Sequence, residues 1–286
     1  GVLKTCAEAG LSCRTLSRST RPSWAGQAVE WMTVPSYGEA AAMRQAIGRA
    51  KYVLHLADNP ARGDARSAGE AIRNCDALIE AVRINRVDGV IVASSVYASR
   101  DQDDSASYGS VKRLIEQRFL SATDIRTIVL RLPPVYGPVG RGGLATLSKL
   151  VRKGFPLPLG AADAPRFYLS PRNLTSLILA MVNADDAAWR NAAGRVFEPS
   201  DGQAVATRDL ILMMGDTMGC RTWLLPVPPI LLRAVGAVTS RSELISGAID
   251  RLDVAPVAEL ETAFGWRPVE HMPESLAFLA QEFNSA

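Results

Sequence analysis

Gly89-Val90-Ile91-Val92-Ala93, running on into Ser94-Ser95, is a short unbroken apolar and β-branched stretch. A strand that faces water on one side alternates polar and apolar residues, so a continuous run of this kind predicts a strand buried on both faces, as in a parallel sheet. Its surroundings repeat the same grammar. Upstream lie an apolar strand at Tyr52–Ala57 and a helical stretch over Ala68–Val82, where Ala71, Ile72, Cys75, Leu78, Ile79 and Val82 recur at intervals of three and four. Downstream come a helix at Val111–Leu120 and a strand at Thr127–Leu132. Before them the chain offers a helix over Gly1 to Ala9, a strand at Cys13–Leu16, a polar turn over Ser17 to Ser23, an apolar stretch at Val29–Val34 and a helix at Glu39–Arg49. Strand and helix alternating at these lengths predict an α/β doubly wound, Rossmann-like fold with a parallel sheet.

Beyond Leu132 the alternation lapses into a cluster of Pro133, Pro134, Gly137, Pro138, Gly140, Gly142 and Gly143, where the chain is expected to leave the sheet for a smaller C-terminal lobe. Helices are predicted at Leu144–Arg152, Leu174–Asn183, Thr207–Met218, Ile230–Val238, Glu243–Ile249 and Pro273–Phe283, with strands at Arg195–Glu198 and Thr222–Pro226. The predicted division is a dinucleotide-binding domain over 1–138 and a mainly substrate-binding lobe over 139–286, of which 167–200 partly returns to the sheet.

Composition narrows the function classes. The 286 residues are 48% hydrophobic and carry 32 Lys+Arg against 29 Asp+Glu, with the basic residues scattered, which argues against a nucleic-acid footprint or a polybasic membrane anchor. The greasiest segment, Leu224 to Val238, is broken by prolines and Arg233 and is too short to span a bilayer. Cys6, Cys13, Cys75 and Cys220 form no Cys-x-x-Cys pair, and only His55 and His271 could join them, so no metal site is expected. Reduced, mostly buried thiols in a cytoplasmic protein are the expectation.

The chemistry-bearing residues sit around the deciding strand. Tyr108 and Lys112 are four apart on a predicted helix and share a face, and an ammonium beside a phenol favours the phenolate. A serine ending the neighbouring strand can hydrogen-bond the same substrate oxygen. Ser95, Tyr108 and Lys112 together suit proton transfer during oxidation of a carbinol or reduction of a carbonyl, with a nicotinamide carrying the hydride. Alone, a Tyr-x-x-x-Lys pair also fits a solvated helix face.

Tyr52-Val-Leu-His-Leu-Ala57, Ile91-Val-Ala-Ser-Ser95, Tyr108-Gly-Ser-Val-Lys112 with Glu116, and Val129-Leu-Arg-Leu-Pro-Pro-Val-Tyr-Gly-Pro138 resemble the extended short-chain dehydrogenase/reductases, the NAD-dependent epimerase/dehydratase family. Gly154-Phe-Pro-Leu-Pro-Leu-Gly160, Arg166, Asn173-Leu174, Ser200-Asp-Gly202, Leu225-Pro-Val-Pro-Pro229 and Phe264-Gly-Trp266 look like its branch of nucleotide-sugar 4-epimerases and 4-keto-sugar reductases of polysaccharide biosynthesis. The resemblance implies an NAD(P)-dependent enzyme acting on a nucleotide-activated hexose of the UDP-sugar type. Tyr108 would transfer the proton, Lys112 would tune it and bind the nicotinamide ribose, and Ser95, with Ser94 beside it, would orient the substrate. Leu56, Ala57 and Pro133 would lie along the cofactor, and Arg166 would grip a nucleotide diphosphate, a surface arginine being the alternative. Ser17 stands where an acid would select NAD, and Arg18 follows it, which leans the expectation towards NADP. A homodimer through Ala68–Val82 and Val111–Leu120 is implied as well, although the apolar faces of those helices suit a core equally.

Four departures from the family pattern feed a rival reading, a degenerate, non-catalytic dinucleotide-fold sensor or scaffold. The family's opening strand and Gly-x-x-Gly-x-x-Gly turn do not precede the first helix here, so the chain reads as truncated or partial and is expected to bind dinucleotide poorly by itself. The expected place of that strand is central in the sheet, beside Cys13–Leu16 and Tyr52–Ala57 or their neighbours. The connection from Ser95 to Tyr108, through Arg100-Asp-Gln-Asp-Asp-Ser105, is short; Arg172 replaces a common aspartate; and Val34–Ser36 holds no acid.

Overall fold

A computed structural model describes residues 2–18, 20–21, 29–34, 36–56, 65–99, 107–137, 143–239 and 241–280. In chain order the elements are α1 (Val2–Glu8), β1 (Cys13–Ser17), β2 (Val29–Thr33), α2 (Ala40–Ile47), β3 (Tyr52–His55), α3 (Ala65–Asn85), β4 (Gly89–Ser95), α4 (Tyr108–Ser121), β5 (Thr127–Leu132), α5 (Gly143–Arg152), α6 (Pro171–Asn183), α7 (Asp186–Ala192), β6 (Val196–Phe197), α8 (Thr207–Met218), α9 (Pro229–Val238), α10 (Ser242–Ile249) and α11 (Ala258–Phe264). Short 3-10 turns occupy Val96–Ser99 and Glu274–Leu276. Ala57, the 100–105 connection and the 138–142 glycine cluster lie outside the described residues.

The chain divides into two units. The first comprises Gly1–Leu132, Thr175–Pro199 and Val257–Arg267. Its strands form a four-stranded parallel sheet in the order β3-β4-β5-β6 and a separate two-stranded parallel sheet, β1-β2. The doubly wound α/β class is therefore borne out, and β1 and β3 each end their own sheet. All seven residues of β4 are buried. Val90 and Val92, with Val129 of β5, face a cluster built by Leu78, Ile79 and Val82 of α3 and Val111, Ile115 and Phe119 of α4. Ile91, with Ile128 and Leu130, faces the opposite cluster of Leu177, Met181, Trp189, Phe197, Leu260 and Trp266. At roughly 1.5–3 kcal/mol per fully buried aliphatic side chain, these two clusters hold the sheet together. The apolar faces of α3 and α4 are thus core.

Two helices of this unit were not legible as elements in the sequence. In α7, Asp185 caps the first turn by accepting from the Ala188 N–H, and Trp189 is fully buried with its indole N–H donating to the Met181 carbonyl. In α11, Leu260 is the buried residue and Gly265 ends the helix in a left-handed conformation. Because α11 and Trp266 join the second cluster, the segment 257–267 belongs with the sheet, a return that the division at 138 did not anticipate.

The second unit comprises Pro133–Leu174, Ser200–Pro256 and Pro268–Ala286. Its core packs Val151 of α5 and Leu157 against Leu210, Ile211, Met214 and Met218 of α8, with Tyr136, Tyr168, Leu276 and Leu279. Thr222–Pro226, expected as a strand, makes one isolated bridge, Leu224 to Leu157. Pro273–Phe283, expected as a helix, opens with the 3-10 turn, and helix begins only at 278. Of the cysteines, Cys6 and Cys75 are buried, while Cys13 and Cys220 are half-buried, so the expectation of mostly buried thiols holds for two of the four.

A buried polar network stitches this unit's segments together. The Tyr136 hydroxyl donates to Asp201 Oδ2 at 2.6 Å and pairs with Ser275 Oγ at 2.5 Å. Asp201 Oδ1 accepts from the Ser170 N–H at 2.8 Å and the Asn173 amide at 2.7 Å. Asn173 also donates to the Glu270 carbonyl and accepts from the N–H groups of Val269 and Glu270, so all its polar capacity is used. Burial pushes the Asp201 carboxyl above the usual carboxylate range, partly offset by the bonds from Tyr136, Asn173 and Ser170.

Gly89 opens β4 against the Trp189 ring, where a Cβ would lie 2.3 Å from the nearest ring atom. Gly89→Ala is expected to destabilise the protein by about 1–3 kcal/mol through overpacking, read from urea unfolding. A carboxyl whose pKa is raised by folding binds its proton more tightly in the native state, so its contribution to stability falls as pH rises from the unfolded pKa through the folded one. Asp201→Asn keeps an acceptor for Ser170 and Asn173 and should flatten that part of the stability–pH profile, whereas Asp201→Ala should cost about 1–3 kcal/mol for the donors left unpartnered.

Candidate active site at the end of the buried strand

Parallel strands deliver their carboxyl ends to one edge of a sheet, and there β4 places Ser94 and Ser95. Ser95 Oγ accepts the Tyr97 N–H at 3.3 Å, which holds the hydroxyl at the mouth of the 3-10 turn, and its proton has no acceptor among the described residues. Ser107 caps α4 by accepting the Ser110 N–H, so that Tyr108 is the first helical residue. The next residue, Gly109, has no room for a side chain, because a Cβ would come within 2.3 Å of the Tyr97 carbonyl oxygen. Arg113 Nε adds a bond of 2.7 Å to the Ala98 carbonyl. The start of α4 is thereby locked to the turn that follows Ser95.

One turn further, Lys112 is buried, with Nζ donating to the Ala93 carbonyl at 3.3 Å and standing 5.9 Å from the centroid of the half-buried Tyr108 ring. The structure thus brings Ser95, Tyr108 and Lys112 together around the end of β4. A phenol, an ammonium and a hydroxyl so disposed can exchange a proton with a substrate oxygen and stabilise the phenolate.

Ser94 points elsewhere. Its hydroxyl donates to Glu116 Oε1 at 2.5 Å, and Glu116, 2% exposed, forms a bidentate pair with Arg131 whose shortest contact is 2.8 Å. The Glu116 carboxylate holds the Arg131 guanidinium above its usual range, chiefly through that hydrogen bond. The pair crosses from α4 to β5 beneath the site and went unassigned in the sequence, although Arg131 inside an apolar strand and Glu116 one turn beyond Lys112 were its signals.

The remaining candidates lie apart. Ser17 ends β1, its carbonyl accepting from the Val34 N–H. Arg18 donates its N–H to the Tyr37 hydroxyl and holds its guanidinium 3.6 Å from Glu70 and 5.4 Å from the Tyr37 ring centroid. Leu56 follows β3 and is half exposed, and Pro133 follows β5 and opens the second unit. Arg166, in that second unit, is no surface arginine: it is 1% exposed, one terminal nitrogen donates to the Asp250 carbonyl, and Nε and Nη2 are buried without a hydrogen-bond partner. Arg172 is exposed, 3.6 Å from Glu270. Among the described residues no cluster of side chains could hold a metal ion.

Removing Glu116 would leave the Arg131 charge largely uncompensated. Glu116→Leu is expected to lose about 3 kcal/mol in chemical denaturation, and Glu116→Leu/Arg131→Met to recover most of it.

No family model matches the chain. Over 213 residues it is 26% identical to a UDP-glucose 4-epimerase of Vibrio cholerae, an alignment covering 73% of this chain and 63% of that protein's length. The fold matches the UDP-glucose 4-epimerase of Thermotoga maritima, solved with UDP-glucose, with a TM-score of 0.76 at 17% identity over 99% of this chain and 94% of that one. It also matches the UDP-glucose 4-epimerase of Thermus thermophilus, solved with NAD, with a TM-score of 0.74 at 17% identity over 100% and 95%. Similarity in sequence to one nucleotide-sugar epimerase and in fold to others bears out the resemblance of this chain to the extended short-chain dehydrogenase/reductases, the NAD-dependent epimerase/dehydratase family.

Proposed function

We propose that the chain is a nucleotide-sugar 4-epimerase of the UDP-hexose type, working with NAD(P). The observation that carries the reading is the gathering of Ser95, Tyr108 and Lys112 at the carboxyl end of β4. The donor set suits a nicotinamide dinucleotide: a buried ammonium beside a phenol, at the sheet edge where such cofactors are held. Lys112 and Tyr108 would hold its ribose, Leu56, Ala57 and Pro133 would lie along it, and Ser17 and Arg18 would meet its adenosine end. When bound, the nicotinamide supplies the acceptor and donor of hydride.

The protein's own part is proton management. The Tyr108 phenolate oxygen takes the proton of the sugar's C4 hydroxyl as that carbon is oxidised, and returns it to the same oxygen when the carbon is reduced from its other face. Lys112 favours the phenolate through its charge, and Ser95 orients the sugar oxygen with its hydroxyl. Ser94 serves the site through Glu116 and Arg131, by fixing β4 against α4.

Arg166 is proposed to hold the substrate's diphosphate, supported by its two buried, unpartnered nitrogens, which suit phosphate oxygens. NADP is favoured over NAD because the only charge facing Arg18 is an exposed pair with Glu70 at 3.6 Å, a contact worth about 0–1 kcal/mol and readily exchanged for a 2′-phosphate. A homodimer through α3 and α4 would use their outward faces, where Ile84 and Leu114 are exposed. A cytoplasmic location fits a chain among whose described residues no helix can cross a membrane.

Nicotinamide fluorescence will report NADPH and NADH binding to this chain and to a version extended into its upstream reading frame. Binding by either supports the reading, and binding by neither overturns it. In the binding-competent protein, Tyr108→Phe should lower kcat for interconversion of UDP-glucose and UDP-galactose by about 10²–10⁴-fold with dinucleotide affinity preserved. Arg166→Met should weaken UDP binding by about 10–100-fold without affecting the dinucleotide.

A further inference from the structure

The second unit carries a helix whose apolar side faces outward. α9 begins with Pro229 in its first turn and reads Pro-Ile-Leu-Leu-Arg-Ala-Val-Gly-Ala-Val. Gly236 is its one buried residue. It is where α9 crosses α10, because a Cβ there would meet Ile245 Cδ1 at 2.8 Å and Ser242 Cα at 3.3 Å. On a helix of about 3.6 residues per turn, Ile230, Leu231, Ala234, Val235, Ala237 and Val238 fall on the arc opposite Gly236. All six are exposed, Val238 by 87% and Ile230 by 73%. A soluble surface helix normally turns such an arc inward.

The charge pattern says what covers it. From Thr217 to Ser242 the chain has no carboxylate, yet it has Arg221, Arg233 and Arg241. Arg233 sits at the margin of the apolar arc, held by Asp250 at 2.8 Å. Arg241 is exposed just past the end of the helix, where its N–H caps the Gly236 carbonyl at 2.8 Å. Ahead of α9, the Arg221 guanidinium stacks 4.4 Å from the centroid of the half-exposed Trp223 ring. An apolar helix face flanked by arginines and a tryptophan, with no acid, has the chemistry of an interfacial helix on an anionic lipid surface. A second copy of the chain fits less well, since a ten-residue helix is about 15 Å long and a stable pairing buries roughly 800 Å² on each partner. Spanning is excluded, as about 20 apolar residues would be needed.

We propose that α9 docks this protein on an anionic lipid bilayer, lying in the headgroup region with Ile230, Leu231, Val235 and Val238 immersed and Arg221 and Arg241 on the lipid phosphates. The docking is independent of the epimerase reading. The test is co-flotation of the full chain with vesicles of phosphatidylcholine alone and of phosphatidylcholine mixed with phosphatidylglycerol, at low and high salt. The expected result is flotation with the anionic vesicles only, weakened by salt and abolished in Ile230→Glu/Val238→Glu, whose fold is checked by circular dichroism. Arg221→Gln/Arg241→Gln, which leaves the apolar face intact, should bind the anionic vesicles about fivefold more weakly per arginine. Unchanged binding by that variant, equal binding to phosphatidylcholine alone, or no binding at all overturns the proposal. A dimer in light scattering that Ile230→Glu/Val238→Glu dissociates, with no flotation, overturns it in favour of a contact between copies.

Discussion

β4 has no face left for water, and the first unit is arranged around that fact. Its even-numbered side chains, Val90 and Val92, are covered by α3 and α4, and Ile91 by α6, α7 and Trp266. A strand enclosed in this way cannot slip register, because a shift of one residue would exchange both sets of packing partners. The serines at its end inherit that rigidity. The Glu116–Arg131 pair adds a polar tie at the same level, fastening α4 to β5 and taking up the Ser94 hydroxyl. Proton transfer needs its groups held to a fraction of an ångström, and here the holding is done by residues that never touch a substrate.

How far the sequence disclosed this depended on the range of the interaction. The run from Gly89 to Ala93 and the three-and-four spacing of α3 are local patterns, and both appear in the structure as read. The short helices α7 and α11 are only seven residues each and owe their stability to Trp189 and Leu260 in a cluster assembled from distant segments. Thr222–Pro226 has a strand's composition but finds a single partner, at Leu157, and so remains a bridge. In the site, Tyr108 and Lys112 were legible from their spacing and Ser95 from its place after a strand. Glu116–Arg131 required knowing that α4 lies across β5. Arg166 reads in sequence as any arginine does; only its burial distinguishes it.

The two units solve their polar problem differently. The first keeps charge at one point, beneath the site. The second spreads it through hydroxyls and amides: Tyr136, Ser275, Asn173 and Asp201 draw together segments separated by as many as 139 positions in sequence. A network in which every group of Asn173 is engaged tolerates little change, since any one loss strands a partner away from water.

The clamp between the Tyr97 carbonyl and Gly109 bears on how this protein could diversify. Both ends of the connection from Ser99 to Ser107 are anchored independently of what lies between them, one by the turn and the Arg113 bond to Ala98, the other by the cap at Ser107. The entropic cost of closing a loop grows only slowly with its length. Insertions and deletions there would therefore leave Tyr108 in place while altering what the neighbouring surface admits. In evolutionary terms the connection is a site at which preference for one sugar over another can drift without the proton-transfer chemistry being put at risk.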